Sequence, residues 1–522
     1  MLDPPDLSRD NREIELKITG APAALTRLRR SRMLARLVGD SGRGAWERLV
    51  STYYDTPEND IADSGLALRL REEGGRRIQT VKGTSGADSV IERAETERTL
   101  GPTEPFPAAA GDADLDAWIS AWRARLRPIA RTCTDRWTAK IRRKQALIEC
   151  AFDFGRVEGR NSDGVMRAAP LAEAELELLD GPPKALFEVA RLFLRKPGIR
   201  LGAETKLDAA RRTGAGGLPG LTPEPRLAFD PDGVAEDALA AAIMAGAERI
   251  AILAPAILDA RHPEGVHQMR VALRRFRAVE RIFRSAANDK RLRRLARRAR
   301  GFARALSPAR DWDVFLDEIL PPLKARDYEP DGFAMLQSSA ESLRAEAWEQ
   351  AIETVGGREF TAFNLDLLEA GYLRSWRKSA GKILHSDVRL FAAAALDDRL
   401  AAARAAALRI DAPTPAARHP LRIALKKLRY AAQVFRPLYA KPRRKPYMAA
   451  MSRLQDAFGA LSDAVAAEAR AEEAARCRGK AAMRAAGFIC GYRAAEMETV
   501  VAEADEAWAA FDAMVPFWRE NN

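Results

Sequence analysis

Glu13, Glu15 and Lys17 alternate with Ile14 and Leu16 near the start of the chain. Successive side chains of a β-strand point to opposite faces, so two carboxylates and an ammonium share one face with apolar residues behind them. Carboxylates suit a hard divalent cation, Mg2+ or Mn2+, and an ammonium suits a phosphate oxygen. The same five residues also fit an exposed edge strand with solvated charges. The case for a site rests on whether later strands bring matching charges to one place.

They repeat the habit. Strand patterns run over Leu49–Thr56, Leu66–Arg71, Arg77–Lys82, Ile91–Leu100, Thr134–Thr138, Ala146–Phe154 and Ala172–Leu178, with a hairpin turn at Gly74-Gly75. Helical patterns cover Ala23–Leu37, Asp114–Leu126 and Pro183–Leu194, and Lys206 falls on a final short segment. One inventory is acidic: Glu13, Glu15, Glu173, Glu175 and Glu177, with Asp153 late in its strand. The other is basic: Lys17, Arg69, Arg71, Lys82, Arg136 and Lys206. Alternation alone leaves two architectures open. A sandwich would bury the apolar faces and solvate the charges, whereas a closed barrel could hold the charges inside. An enclosed site with both inventories would hold a polyphosphate with its metal.

Glu13-x-Glu15-x-Lys17, Tyr54-Asp55-Thr56, Leu68-Arg69-Leu70-Arg71, Thr80-Val81-Lys82, the Arg93/Glu95 strand, Asp153 and the Glu173/Glu175/Glu177 run together resemble the CYTH domain, the triphosphate tunnel metalloenzyme family. The resemblance covers residues 11 to about 212. It implies an eight-stranded antiparallel tunnel that cleaves triphosphate-bearing substrates with a divalent metal. It also implies metal contacts from Glu13, Glu15, Glu173, Glu175 and Glu177, phosphate contacts from Lys17, Arg69, Arg71, Lys82, Arg136 and Lys206, and catalytic roles for Lys17 and Asp153. Glu204-Thr205-Lys206 departs from the family's commoner small residue before that lysine.

At 522 residues the chain is too long for one ordinary core. A net charge of +12 and a pI near 9.7 point to anionic ligands. Cys133, Cys150, Cys477 and Cys490 lack close ligand spacing and read as reduced thiols. The first twelve residues carry no secretory pattern, and the apolar stretch Ala238–Leu258 is interrupted by Glu248 and Arg249, so a soluble, cytoplasmic protein without a membrane partner is expected.

Gly214–Pro225 is rich in Gly and Pro and reads as a linker, after which strand signals vanish. The expected organisation is a tunnel domain at 9–212, a linker at 213–230 and a helical domain at 231–518. The fold class is α+β: an eight-stranded antiparallel tunnel followed by an all-helical, internally duplicated bundle. His267–Arg277 matches His419–Arg429, and Leu306–Asp311 matches Phe458–Asp463, both at an offset of 419 − 267 = 463 − 311 = 152. His267, Arg270, Arg274 and Arg277 make one helical stripe; His419, Arg422, Lys426 and Arg429 make its copy. Between His267 and Arg304 stand 14 Lys/Arg and 2 acids, and between Arg418 and Arg453 stand 11 and none, a density that repels itself without an anion between. Neither histidine has a second His or Cys at ligand spacing, which excludes a zinc site.

Val266–Val271, Ala309–Val314, Arg418–Tyr430 and Leu454–Asp456 resemble the CHAD domain, a histidine-bearing helical family, over about 231 to 515. The resemblance implies a basic cavity binding inorganic polyphosphate. Pro420, directly after the second His, places that histidine in a first helical turn, where backbone amides favour anions. The leading functional expectation is a metal-dependent inorganic triphosphatase whose helical half grips polyphosphate. The alternatives are a non-catalytic protein recruited to polyphosphate granules, and an adenylate cyclase or thiamine-triphosphatase on the same tunnel. Nucleic acid is disfavoured because the basic helices carry few aromatics to stack bases. Oligomeric state is left open.

Overall fold

The computed structural model describes residues 12–39, 44–83, 91–109, 113–161, 163–222, 224, 227–476 and 478–519, without the side chains of Arg93, Ala113 and 462–464. Cys477 and the side chains of Arg93 and Asp463, which the sequence singles out, lie outside that set. The chain divides into two compact units. One takes in residues up to Ala228 with 243–265 and 355–375; the other takes in 229–242, 266–354 and the remainder from Trp376.

Among the described residues, the first unit is built on nine strands: β1 (Arg12–Gly20), β2 (Ala45–Asp55), β3 (Leu66–Glu73), β4 (Arg76–Gly83), β5 (Glu92–Leu100), β6 (Arg127–Arg143), β7 (Ala146–Arg160), β8 (Met166–Asp180) and β9 (Ile199–Leu201). They run β5-β4-β3-β2-β6-β7-β8-β1-β9, and β1 also pairs with β5 through Arg12↔Ala94 and Ile14↔Glu92. β1 to β8 therefore close into an antiparallel barrel, as the tunnel expectation requires. β9, unexpected from sequence, takes over β1's edge from Ile18 onward, where β5 has ended. The β3–β4 turn uses Gly74 and Gly75 at φ 53° and 77°, both left-handed, as a tight hairpin needs.

The apolar faces point outward under helices. Short helices α1 (Pro22–Arg29) and α2 (Arg32–Val38) replace the single expected one; the break falls at Ser31, whose side chain accepts from Leu34 N–H. α3 (Asp60–Asp63) follows β2, and α4 (Ala113–Trp122) packs Leu115, Trp118 and Ile119 against Leu68 and Val81. α5 (Lys184–Phe193) lies on β1 and β8 and buries Leu186, Phe187, Val189 and Phe193. Each such side chain is worth about 2 kcal/mol when withdrawn from water. The final short segment that carries Lys206 is a helix, α6 (Lys206–Ala215): Lys206 is its first residue, behind the cap made by Thr205 on Asp208 N–H. The helix also extends into the expected linker.

Eleven further helices follow among the described residues: α7 (Ala235–Leu258), α8 (Pro263–Ala287), α9 (Lys290–Ala305), α10 (Ser307–Val314), α11 (Leu320–Lys324), α12 (Pro330–Gly356), α13 (Arg358–Tyr372), α14 (Val388–Ala407), α15 (Pro415–Val434), α16 (Lys441–Ala475) and α17 (Lys480–Asp512). The offset of 152 extends to whole elements. α8 and α15 both open on proline, and 415 − 263 = 152. α7 matches α14, and α12 matches α17. The single helix α16 matches the run from α9 to α11, which is interrupted at Leu306 and by a π-helical stretch at Phe315–Ile319. α7 is the one described helix long and apolar enough to cross a membrane, and 56% of its apolar window is buried inside the protein.

Candidate functional site

The inward positions of the barrel carry the charges. Glu13, Glu15 and Lys17 on β1, Arg69 and Arg71 on β3, Lys82 on β4, Arg136 on β6, Glu175 and Glu177 on β8, and Lys206 from α6 line one cavity of about 240 Å3. The cavity also receives Glu95, Glu97, Glu149, Tyr53, Thr80 and Thr205, none of which the sequence pattern assigns to the site. Parity could have found Glu149, which shares a strand face with Asp153.

Two acidic clusters differ in kind. Asp153, Glu173 and Glu175 bring carboxylate oxygens within 4.8 Å of one another. That cluster is already filled with cations. Lys206 Nζ lies 2.9 Å from Asp153, 2.6 Å from Glu173 and 2.7 Å from Glu175. Lys17 lies 3.1 Å from Glu173 and 3.4 Å from Glu175. Arg136 donates a fork to Asp153, at 2.8 and 2.6 Å, and a third bond to Glu175 at 2.6 Å. Three acids face three cations. Burial opposes ionisation of Asp153 and Glu175, but Lys206 and Arg136 overcome it and hold both below the usual carboxylate range. Burial likewise opposes the charge of Lys206, and its three carboxylates raise its pKa well above normal.

The second cluster is a row across three strands: Glu15 pairs with Glu177, and Glu149 with Glu177 on its other side. Burial, then Glu149 and Glu15, push Glu177 up to about 7. Next to the row, Lys82 Nζ donates to Glu13 at 2.7 Å and to Glu95 at 2.5 Å. Burial and a hydrogen bond with Glu95 push Glu13 up. Burial opposes ionisation of Glu95, but Lys82 and that hydrogen bond drive it down, so Glu13 holds the proton of the pair. Hard carboxylates crowded in one row fit a divalent ion, and Lys82 is the cation beside them. Glu15, Glu177 and Glu149 form that row, with Glu13 and Lys82 beside it, whereas Glu173 and Glu175 pair with Lys17, Lys206 and Arg136.

The opposite wall is cationic. Arg69 reaches Thr80, Glu95 and Glu97 at 2.9, 3.2 and 3.1 Å. Arg71 is weakly matched: its nearest carboxylate, on Glu73, is 3.8 Å away and its buried Nε has no hydrogen-bond partner. Burial, Arg69 and Arg136 all push its pKa down. A buried donor without a partner, on a positive group facing a cavity, is what an anion would satisfy.

In the helical unit, His267 and His419 are both fifth residues of their helices. This corrects the first-turn placement of His419: α15 starts at Pro415 behind the Thr414 cap, and Pro420 lies inside the helix. Met269, Leu273 and Phe276 are buried as the packing face requires, while Val271 is half-buried. Arg270 pairs with Asp311 at 3.5 Å. Burial, then Arg281, Arg300, Arg304 and Arg274, push Arg277 down, so the first stripe faces the cations of α9. On α15, Arg429 donates to Gln455 of α16. The two helices meet electrostatically through Arg275, one position off the stripe, whose pKa is lowered by burial and by Arg429 and Arg436.

A family model for the CYTH domain matches residues 11–210 and one for the CHAD domain matches residues 241–472. Among solved structures, the CHAD domain from the plant Ricinus communis is 25% identical, with 56% of this chain and 97% of that chain covered and a TM-score of 0.49. PptA from Streptomyces chartreusis is 21% identical, with coverages of 53% and 99% and a TM-score of 0.42. A Hippeastrum protein, described as an adenylyl cyclase candidate with a dominant triphosphatase activity, is 16% identical, with coverages of 39% and 96% and a TM-score of 0.26. Residues 11–210 of this chain are a CYTH domain and residues 241–472 are a CHAD domain.

Proposed function

We propose that the barrel hydrolyses inorganic triphosphate to pyrophosphate and phosphate with a divalent cation, Mg2+ or Mn2+, and that the helical unit binds inorganic polyphosphate. The observation that carries the first part is the division of one cavity inside the barrel into an acid row, Glu15/Glu177/Glu149, and a cationic wall where Arg71 Nε has no hydrogen-bond partner. Glu13, Glu15, Glu177 and Glu149 would hold the cation. Bound there, it would neutralise phosphoryl oxygens and lower the pKa of an attacking water.

The chain's own residues do the rest. Arg69 and Arg71 grip phosphate oxygens, and their positive charge stabilises negative charge spread over the transferring group. Lys82 bridges the acid row to that wall. Lys17 and Lys206 stay protonated, so they donate to phosphate oxygens and do not act as bases. Asp153, held ionised between Arg136 and Lys206, positions those two cations. Tyr53 is the one aromatic among the described lining residues, which disfavours a site shaped for a purine or thiamine ring.

The helical reading rests on the duplicated stripes His267/Arg270/Arg274/Arg277 and His419/Arg422/Lys426/Arg429. The protein would work in the cytoplasm, in solution or on polyphosphate granules. Phosphate release from tripolyphosphate, ATP and long-chain polyphosphate, with and without metal, tests the assignment. Release from tripolyphosphate that needs metal supports hydrolysis; no release from any substrate, with polyphosphate still bound, would leave a binding protein.

A further inference from the structure

The barrel closes where β1 meets β5. Among the described residues that seam runs only over Arg12↔Ala94, Glu13↔Arg93 and Ile14↔Glu92, with a further bond from Glu15 N–H to Ile91 O at 2.8 Å. It is the shortest pairing in the barrel. The register of β1 with β8 starts at Glu15, so the seam is the only described strand pairing that reaches Glu13. Glu13 faces the cavity; Arg12, Ile14 and Glu92 therefore face outward. On that outer face Glu92 joins three elements. One carboxylate oxygen lies 3.5 Å from Arg12 of β1, and the other accepts a hydrogen bond from the Tyr372 hydroxyl of α13 at 3.1 Å. Burial and the Glu92 carboxylate push the Tyr372 phenol up, so it keeps its proton and donates.

α13 belongs to the barrel's compact unit, although it lies inside the stretch that matches the CHAD model. It has no copy in the duplication: 358 + 152 = 510, and residues from there form the end of α17 and a turn at 517–519. Asp366, Glu369 and Tyr372 recur every third residue along one flank of the helix. Arg191 of α5 donates to Asp366 at 2.6 Å and to Glu369 at 2.9 Å. One turn earlier on α5, Phe187 meets the Tyr372 ring with centroids 6.1 Å apart. The two helices thus run antiparallel, and α5 lies on β1. Gly371 lets the end of α13 approach α7: a Cβ there would lie 3.0 Å from Ile243 Cγ2 and from Met244 Sδ. Fixed on α5 and α7, α13 delivers the Tyr372 hydroxyl to Glu92 at a set place.

We propose that Tyr372 is a positioning residue for the barrel's cation: through Glu92 it clamps the β1–β5 seam and so fixes Glu13 beside the acid row. The proposal rests on the reading of Glu15/Glu177/Glu149 as the row that holds the cation. Tyr372 touches neither cation nor substrate. Without its hydroxyl, Glu92 keeps Arg12 but loses the tie to α13, the short seam frays, and Glu13 spends less time within reach of the cation. Glu15 stays in register with Glu177, so cation binding weakens and is not lost. The grip on phosphate by Arg69 and Arg71, on β3 away from the seam, is unchanged.

The experiment titrates Mn2+ into the full chain by calorimetry, for wild type, Tyr372→Phe, Glu92→Ala, the double variant and Glu15→Gln. Tyr372→Phe keeps the ring against Phe187 and removes only the hydroxyl. Groups that orient a metal's ligands are worth about 10–100-fold in affinity, so Tyr372→Phe should weaken Mn2+ binding about tenfold. The double variant should bind no more weakly than Glu92→Ala, because both changes act through one bond. Phosphate release from tripolyphosphate should need about tenfold more Mn2+ in Tyr372→Phe, with KM unchanged once Mn2+ saturates. Wild-type Mn2+ affinity in Tyr372→Phe, even with a lower melting temperature, overturns the clamp and leaves a structural tie. Additive losses in the double variant overturn it as well, since Tyr372 would then act by another route. Mn2+ binding that survives Glu15→Gln overturns the acid row as the cation's site, and the clamp with it; binding lost in Glu15→Gln beside an unaffected Tyr372→Phe overturns the clamp alone.

Discussion

Glu15 and Glu177 face each other in register across β1 and β8, inside the barrel, with Glu149 directly beyond Glu177. Like charges opposed on neighbouring strands destabilise a sheet, and burial worsens the repulsion. The arrangement relaxes when one carboxyl takes a proton or the row takes a cation. With Glu177 raised to about 7 from 4.5, the metal-free folded state binds more protons than the unfolded state across that interval. Stability of the chelator-treated protein should therefore fall as pH rises from about 4.5 through 7, by on the order of 1–2 kcal/mol after solvent screening. Added Mg2+ should restore it, and more so at pH 8 than at pH 5. Thermal melts across that range check this; an Mg2+ effect independent of pH would place the cation elsewhere. Glu177→Gln should flatten the metal-free profile.

Glu15→Gln should leave the fold intact and lower metal-dependent phosphate release by 100-fold or more, about 3 kcal/mol. Activity close to wild type would remove Glu15 from the metal's donor set.

The triad Asp153/Glu173/Glu175 invites a metal assignment from its geometry, yet Lys17, Lys206 and Arg136 already occupy it. Lys206→Met leaves an uncompensated buried carboxylate and should cost about 3–5 kcal/mol without metal. The vacated charge should let Mn2+ bind at that cluster, giving the variant one more Mn2+ equivalent than wild type by titration. Equal stoichiometry would mean the remaining two cations suffice to keep metal out.

How much of this is legible in the sequence follows from what alternation reports. Period-two patterning assigns a face, so Glu13, Lys17, Arg69, Arg136 and Glu175 group by parity alone. Parity does not say which face is inside; closure of β1 onto β5 decides that. Glu149 carries the parity of Asp153, but its apolar neighbours mask it. The conformation of the short segment at Lys206 stays open in the sequence because its helix is short, although Thr205-x-x-Asp208 is a start signal for a helix. The partition of ion pairs, with Glu173 and Glu175 going to lysines and Glu177 to the acid row, depends on distances in the folded barrel and has no local signature. In the helical half the offset of 152 marks the duplication, but the start of α15 four residues before His419 does not show through Pro420.

The Asp55–Arg211 pair joins the end of β2 to α6, the helix that carries Lys206. Arg211→Met should loosen α6 and misplace Lys206, lowering kcat about tenfold with a smaller change in KM, since Lys206 itself is unchanged. Arg211→Lys should recover part of the loss. A fall in thermal stability with unaltered kcat would make the pair a structural tie only.

The stripes of α8 and α15 make a separate claim on polyphosphate. Arg277 is crowded by Arg281, Arg300 and Arg304, a field that an anion would relieve. A chain with about one charge per phosphate would displace counterions from many cations at once, so its binding should weaken steeply with salt. A thin, flexible chain can follow cations set between packed helices, whereas duplex DNA presents its phosphates on a wide, stiff cylinder. Cutting the chain at residue 231 would sever 243–265 from the unit it packs in, so the test belongs in the full protein with the tunnel silenced by Arg71→Ala. That protein should bind long-chain polyphosphate well ahead of duplex DNA at matched phosphate concentration and near-physiological salt. Adding Arg274→Glu and Lys426→Glu should weaken polyphosphate binding at least 100-fold while leaving the helical circular dichroism unchanged. Equal affinity for DNA, or full binding after the double reversal, would reduce the repeat to a duplicated scaffold.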